Sequence, residues 1–181
     1  MSQSVAHVTL PVHQSDDVVA LVQRARQGEK EAYGELVEHY WQDLVALARG
    51  ILATDLEVED LVQEALIHAW SRLGTLRRPE RFGAWIRRIV ARRCLSRARR
   101  RRRSLELDET PAEVLDPSAV VDAGRLLSML APRQRAALYL TWIAGCSDRE
   151  AGSILGIGAA TVRVHRHRGL KRLRQVVEER G

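Results

Sequence analysis

The stretch from Ser147 to Gln175 limits this chain most, because few local structures satisfy all of its residues at once. Ser147-Asp148-Arg149-Glu150 has the form of a capping box. The serine hydroxyl accepts from the amide three residues on, the glutamate reaches back, and a helix begins. Gly156 can take the left-handed conformation that stops a helix, Ile157 offers an apolar side chain under the turn, and Gly158 opens the next helix. Projected at about 100° per residue, the second helix gathers Val162, Gly169, Leu170, Leu173 and Val177 on one side. The opposite side carries Arg163, Val164, His167, Arg168, Lys171 and Arg174, and no acid lies between Ala159 and Gln175. A capped short helix, a glycine turn and a basic second helix predict a helix-turn-helix with its outer face in a major groove. Arginine can grip guanine through two bonds, and a valine methyl can touch thymine. Arg163, Val164, His167 and Arg168 are therefore expected near base edges, with Lys171 and Arg174 towards phosphates.

The rest of the chain carries the same helical period. Val18, Leu21, Val22 and Ala25 form one stripe, and Tyr33, Leu36, Val37, Tyr40, Leu44, Leu47 and Ala48 form a second after an interruption at Gly28. Leu61, Val62, Ala65, Leu66, Ala69, Trp70 and Leu73 make a third, bounded by Asp55 and Gly74. A fourth helix starts near Arg81, buries Trp85, Ile86, Ile89, Val90 and Leu95, and runs into Arg99 to Arg103. Leu126, Leu127 and Leu130, then Ala137, Leu138, Leu140 and Ile143, predict two short helices, with Pro132 opening the second. Nothing in the first half alternates like a strand. The expected fold is all-α: two small helical domains joined by a flexible acidic linker, the C-terminal one a helix-turn-helix. The boundaries are 1–15 for a loose tail, 16–103 for the first domain, 104–121 for the linker with Pro111 and Pro117, and 122–181 for the second.

Charge is sorted along these segments. Net charge is +6, but residues 1–76 hold 5 Lys+Arg against 12 Asp+Glu, and residues 77–103 hold 13 against 1. Residues 104–123 carry 6 acids and no base, and residues 124–181 carry 11 bases against 4 acids. Two basic blocks read as two nucleic-acid footprints, and the acidic first surface needs a different partner. No run of about 18 uncharged apolar residues occurs, and Met1 to Gln14 lacks the pattern of a signal peptide, so no membrane insertion and a cytoplasmic location are expected. Cys94 and Cys146 stand apart and read as reduced structural thiols. No nucleophile-base pair, phosphate loop or metal cluster is evident, so no catalytic residue, cofactor or metal is expected. His165 and His167, two apart on a helix, point to different faces.

Asp60, Glu64 and His68 lie on one helical ridge with Gln63 beside it. Phe82-Gly83-Ala84-Trp85-Ile86-Arg87-Arg88-Ile89-Val90-Ala91-Arg92-Arg93 interleaves aromatics with arginines, a surface able to stack unpaired bases and follow a backbone. Trp85 is assigned to the core and Phe82 to either role. Together with Leu130-Ala131-Pro132-Arg133-Gln134-Arg135, Gly156-Ile157 and Thr161-Val162-Arg163, these stretches resemble the sigma-70 family of RNA polymerase subunits, in its compact extracytoplasmic-function group. The likeness spans about Val18 to Arg174.

The resemblance implies a non-catalytic subunit that binds core RNA polymerase and directs promoter-specific initiation. Asp60, Gln63 and Glu64 would dock on the clamp helices of the largest polymerase subunit. Arg77, Arg81, Phe82, Arg88 and Arg92 would act on the minus-ten element of promoter DNA, and Arg163, Val164, His167, Arg168 and Lys171 on the minus-thirty-five element. Family habit adds an anti-sigma factor as an expected partner. The chain departs from relatives at four positions. Arg92 stands where asparagine is common beside a flipped-base pocket, Val164 where serine is frequent, His165 where arginine is frequent, and Arg166 where an aliphatic residue is usual. Arg166 must therefore lay its stem on apolar surface or meet an acid. The alternative reading is a free-standing helix-turn-helix regulator that binds DNA tightly without polymerase.

Overall fold

Helical apolar spacing becomes eight α-helices in the computed structural model, which describes residues 16–53, 57–107 and 123–179. They are α1 (Asp16–Arg26), α2 (Lys30–Leu52), α3 (Val58–Arg72), α4 (Phe82–Leu107), α5 (Ala123–Ser128), α6 (Pro132–Leu138), α7 (Asp148–Leu155) and α8 (Ala159–Glu178). Two 3-10 turns, Leu73–Thr75 and Pro79–Arg81, lead from α3 into α4, and a π turn, Tyr139–Ile143, continues α6. Helix α4 runs to Leu107, past the expected domain end at Arg103. The tail 1–15 and linker residues 108–121 lie outside the described residues.

The joints follow from local chemistry. Gly28, at φ +100°, breaks α1 from α2 where the sequence interrupts its period, and Glu29 accepts from Arg24 Nε at 2.8 Å across the break. The first half buries Leu36, Leu44, Leu47 and Ile51 of α2 against Val62, Ala65 and Ala69 of α3 and Ile86, Val90, Ala91 and Cys94 of α4. Burial pushes the Cys94 thiol up to about 12, so it stays protonated. One ion pair is enclosed here: Arg87 donates to Asp43 at 3.0 Å and lies 5.5 Å from the centre of the Tyr40 ring.

In the second half α6 and α8 pack closely at Gly169, where an added Cβ would lie 2.8 Å from Leu138 Cδ1. The predicted inward side holds at Val162 and Gly169, which are buried, while Leu170 and Leu173 are half-buried. Val177 is 58% exposed and Val176 is buried in its place. On a 100° projection the two lie about 60° and 40° from Val162, on opposite sides. The position of α6 selects Val176. Ile143, expected inside, is 45% exposed at the end of the π turn.

The two halves meet. One buried cluster runs from α1 through α4 into α6, α7 and Val162 of α8. Gly50 of α2 makes room for Tyr139, since a Cβ there would collide with the ring. Arg135 is buried, and backbone carbonyls receive its hydrogen bonds. It donates to Ile51 O at 2.5 Å, to Leu127 O at 3.1 Å and to Leu130 O at 3.4 Å. The partially negative ends of α2 and α5 thus converge on one cation. Burial and the nearby Arg101 lower its pKa to about 10, so it is charged at neutral pH.

Candidate nucleic-acid interface

Two surfaces carry the predicted contacts. The first is an open groove of about 960 Å³ between α3 and α4. Glu57, Asp60, Glu64 and His68 line its α3 side, and Arg88, Arg92, Arg93, Arg97 and Arg100 its α4 side, with Trp85 between them. Acid meets base across it: Arg93 donates to Glu64 at 2.8 Å, and Arg97 pairs with Glu57. These pairs are largely exposed, so each contributes little to stability and yields readily to a stronger partner. Asp60, Gln63 and Glu64 are all exposed on α3. They do not form a single patch, however. Asp60 and Glu64 face this groove, while Gln63 edges a separate apolar groove lined by Tyr33, Val37, Trp41, Leu66, Ile67 and Trp70. Tyr33 holds that second groove together by donating to Leu66 O at 2.7 Å and packing on Trp70.

Among the residues expected to act on the minus-ten element, Arg77, Arg81 and Arg92 are exposed and Arg88 is half-buried. Phe82 is corrected to a core residue. It is 1% exposed, and its ring sits 5.4 Å from Tyr40 and 5.8 Å from Trp85, so neither face is open to a base. Trp85, assigned to the core, is half-buried and lines the groove beside Arg88 and Arg92. Of the two roles open to Phe82 the core one holds, while Trp85 packs on the core with one edge at the groove.

The second surface is α8. Ser147 caps α7 as its spacing requires: Oγ accepts from Glu150 N–H at 3.3 Å, and Glu150 accepts from Ser147 N–H at 2.9 Å. The Ser147 hydroxyl, donating to Glu150 Oε2 at 2.7 Å, and the Ser147 N–H together hold the Glu150 carboxyl below its ordinary pKa. Gly156 ends α7 at φ 68°, and Ile157 N–H returns to Gly152 O at 3.0 Å, which closes the turn. Arg163, Val164, His167, Arg168 and Lys171 are then exposed along α8, and Arg174 continues the row. His165 is half-buried, and burial together with Arg133 and Arg168 lowers its pKa. Arg166 finds an acid, donating to Asp148 Oδ1 at 2.6 Å.

Sequence reasoning missed three features of this region. Gly152 is needed because a Cβ would lie 2.7 Å from Ile157 O, and its helical position gave no sign of that. Arg135 and the pair Arg87–Asp43 carry no local pattern, since their partners are far away in sequence.

Residues 36–104 match Sigma-70 region 2, and residues 121–173 match Sigma-70, region 4. RNA polymerase sigma factor NccH of Alcaligenes xylosoxydans xylosoxydans is 31% identical over 158 residues, covering 79% of this chain and 85% of that one. The chain belongs to the sigma-70 family. Its extracytoplasmic-function group is represented by ECF RNA polymerase sigma factor SigE of Mycolicibacterium smegmatis, 32% identical over 161 residues. That match takes in 82% of this chain and 62% of the relative's length. The structure of CnrH in complex with the cytosolic domain of CnrY superposes with a TM-score of 0.66 at 28% identity, covering 91% of this chain and 99% of that one. The α3–α4 groove of this sigma-70 chain falls within region 2, and the α7–α8 turn within region 4. Among the described residues, no helix is long and apolar enough to cross a membrane.

Proposed function

We propose that this sigma-70 chain is a non-catalytic specificity subunit that binds core RNA polymerase in the cytoplasm and directs initiation at promoters carrying minus-ten and minus-thirty-five elements. The observation that carries the reading is α8, an acid-free row of exposed Arg163, Val164, His167, Arg168 and Lys171 on the second helix of a helix-turn-helix. Arginine and valine supply the donors and methyl contacts that base edges accept, and the remaining cations neutralise phosphates. On the minus-ten side the residues are Arg77, Arg81, Arg88 and Arg92, with Trp85 rather than Phe82 as the aromatic a base can stack on. Asp60 and Glu64 offer the clamp helices of the polymerase an exposed acidic edge, and Gln63 extends it towards the apolar groove. A further partner is an anti-sigma factor, by analogy with CnrH, which was solved bound to the cytosolic domain of CnrY.

Run-off transcription with purified core polymerase on a genomic promoter library tests the reading. Products that require both the chain and intact promoters are expected. Tight, sequence-specific binding without core would favour a free-standing regulator, and indifference to scrambled promoters would favour a coating protein. The docking edge is tested by Asp60→Arg combined with Glu64→Arg. That variant should lose co-purification with core while keeping its helical content, and unchanged co-purification would remove the edge from the interface.

A further inference from the structure

We propose that Asp148 is a positioning residue for minus-thirty-five recognition, acting from α7 on the guanidinium of Arg163 in α8. The inference rests on the reading of α8 as the minus-thirty-five helix.

Asp148 is the first residue of α7, where the helix's own N-terminal dipole favours a negative charge. Its side chain is 20% exposed, and it faces two arginines one turn apart on the neighbouring helix. Oδ1 accepts from Arg166 Nη1 at 2.6 Å, and Oδ2 lies 3.6 Å from Arg163 Nη1. Glu150, the next acid along, has Oε2 engaged by the N–H and Oγ of Ser147. Helix α8 carries no acid of its own between Ala159 and Gln175, so the neutralising charge comes from α7.

The two arginines are held differently. Arg166 is 29% exposed and makes a short charge-assisted bond, which ties α8 to the start of α7. Arg163 is 58% exposed and sits beyond hydrogen-bond length from the same carboxylate. It is drawn to one side and still has its donors free. A guanidinium steadied in this way presents a fixed edge to guanine O6 and N7. Without that carboxylate beside it, the guanidinium swings to the nearest phosphate, the strongest acceptor left in reach. Asp148 thereby converts a general cation into a base reader, and it lowers the affinity of α8 for DNA of the wrong sequence.

The test uses holoenzyme assembled from full-length chain and core polymerase, on promoters that the wild-type holoenzyme selects and on single-base-pair variants of their minus-thirty-five element. The double variant Asp148→Ala/Arg166→Leu leaves net charge unchanged and puts an apolar side chain in place of the paired cation. It should retain cooperative melting and lose preference at one base pair on the order of tenfold. The slope of log affinity against log salt should steepen by about one, because Arg163 moves to a phosphate. Arg163→Ala should lose preference at the same base pair without the steeper slope. If the double variant does not fold, Asp148→Asn, which keeps shape and removes charge, is read in the same assay with the same expectation. Preference retained in the Asp148 variants but lost in Arg163→Ala would overturn the proposal and leave the reading of α8 standing. Preference unchanged in Arg163→Ala would also overturn the proposal, and a wild-type holoenzyme with no minus-thirty-five preference would overturn both.

Discussion

Phe82 and Trp85 are three positions apart on α4, so they project about 60° from each other and share one side of the helix. Periodicity places both near the core without ranking them. The ranking comes from Tyr40 on α2, whose ring closes over Phe82, and from the opening between α3 and α4, which leaves Trp85 at the groove. Phe82→Ala should therefore cost about 3–5 kcal/mol of unfolding free energy through the cavity it leaves. Urea denaturation measures this, and a loss below about 1 kcal/mol would return Phe82 to the surface. Trp85→Ala should cost less stability and reduce promoter opening, read as fewer reactive unpaired thymines near the start site. Arg166 shows the opposite case. Its position on the packed side of α8 already required a partner for its charge, but which acid answered depended on how α7 crosses α8.

The elements were legible where their signals are local. The Ser147–Glu150 cap appears as its spacing predicted, and Ser147→Ala should lower stability by about 1 kcal/mol. The pH dependence follows from the direction of the Glu150 shift. Its folded pKa lies below the ordinary 4.5 because Ser147 bonds stabilise the carboxylate, so the contribution is present above about pH 4.5 and lost as pH falls through the folded value. The gap in melting temperature between wild type and Ser147→Ala should narrow below that pH to the part supplied by the Glu150 N–H bond to Ser147 Oγ. A gap that stays constant into acid would detach Glu150 from the cap. Gly156 was legible as a stop because a left-handed residue is needed there, whereas Gly152 was not, because what it avoids is a carbonyl returned to it by the turn. Gly152→Ala should accordingly destabilise more than Gly156→Ala, whose cost is a strained φ of about 1 kcal/mol. Thermal melts of the two variants decide the order.

At the scale of the molecule, region 4 rests on region 2 with the HTH turn against α4. A Cβ at Gly156 would lie 3.4 Å from Arg88 Nη2 and 3.7 Å from Arg92 Nη2, two side chains expected to touch the minus-ten element. The two promoter elements are about 25 base pairs apart by their names, about 85 Å of straight duplex at 3.4 Å per pair. A folded chain of this length has a radius of gyration of about 16 Å. On the proposed function, reading both elements at once would require the halves to separate. Gly50→Leu, which fills the space Tyr139 occupies, should raise the radius of gyration in X-ray scattering with helical content unchanged. An unchanged radius would mean the contact adapts without opening. The sequence by itself determined the helices, their caps, the helix-turn-helix and the segregation of charge, because apolar period, capping and composition act within a few residues. Tertiary structure alone decided that Phe82 is buried, that Asp148 answers Arg166, and that Arg135 ties α6 to the end of α2. Each of those depends on a partner 18 or more residues away, brought close by packing, and no local pattern encodes it.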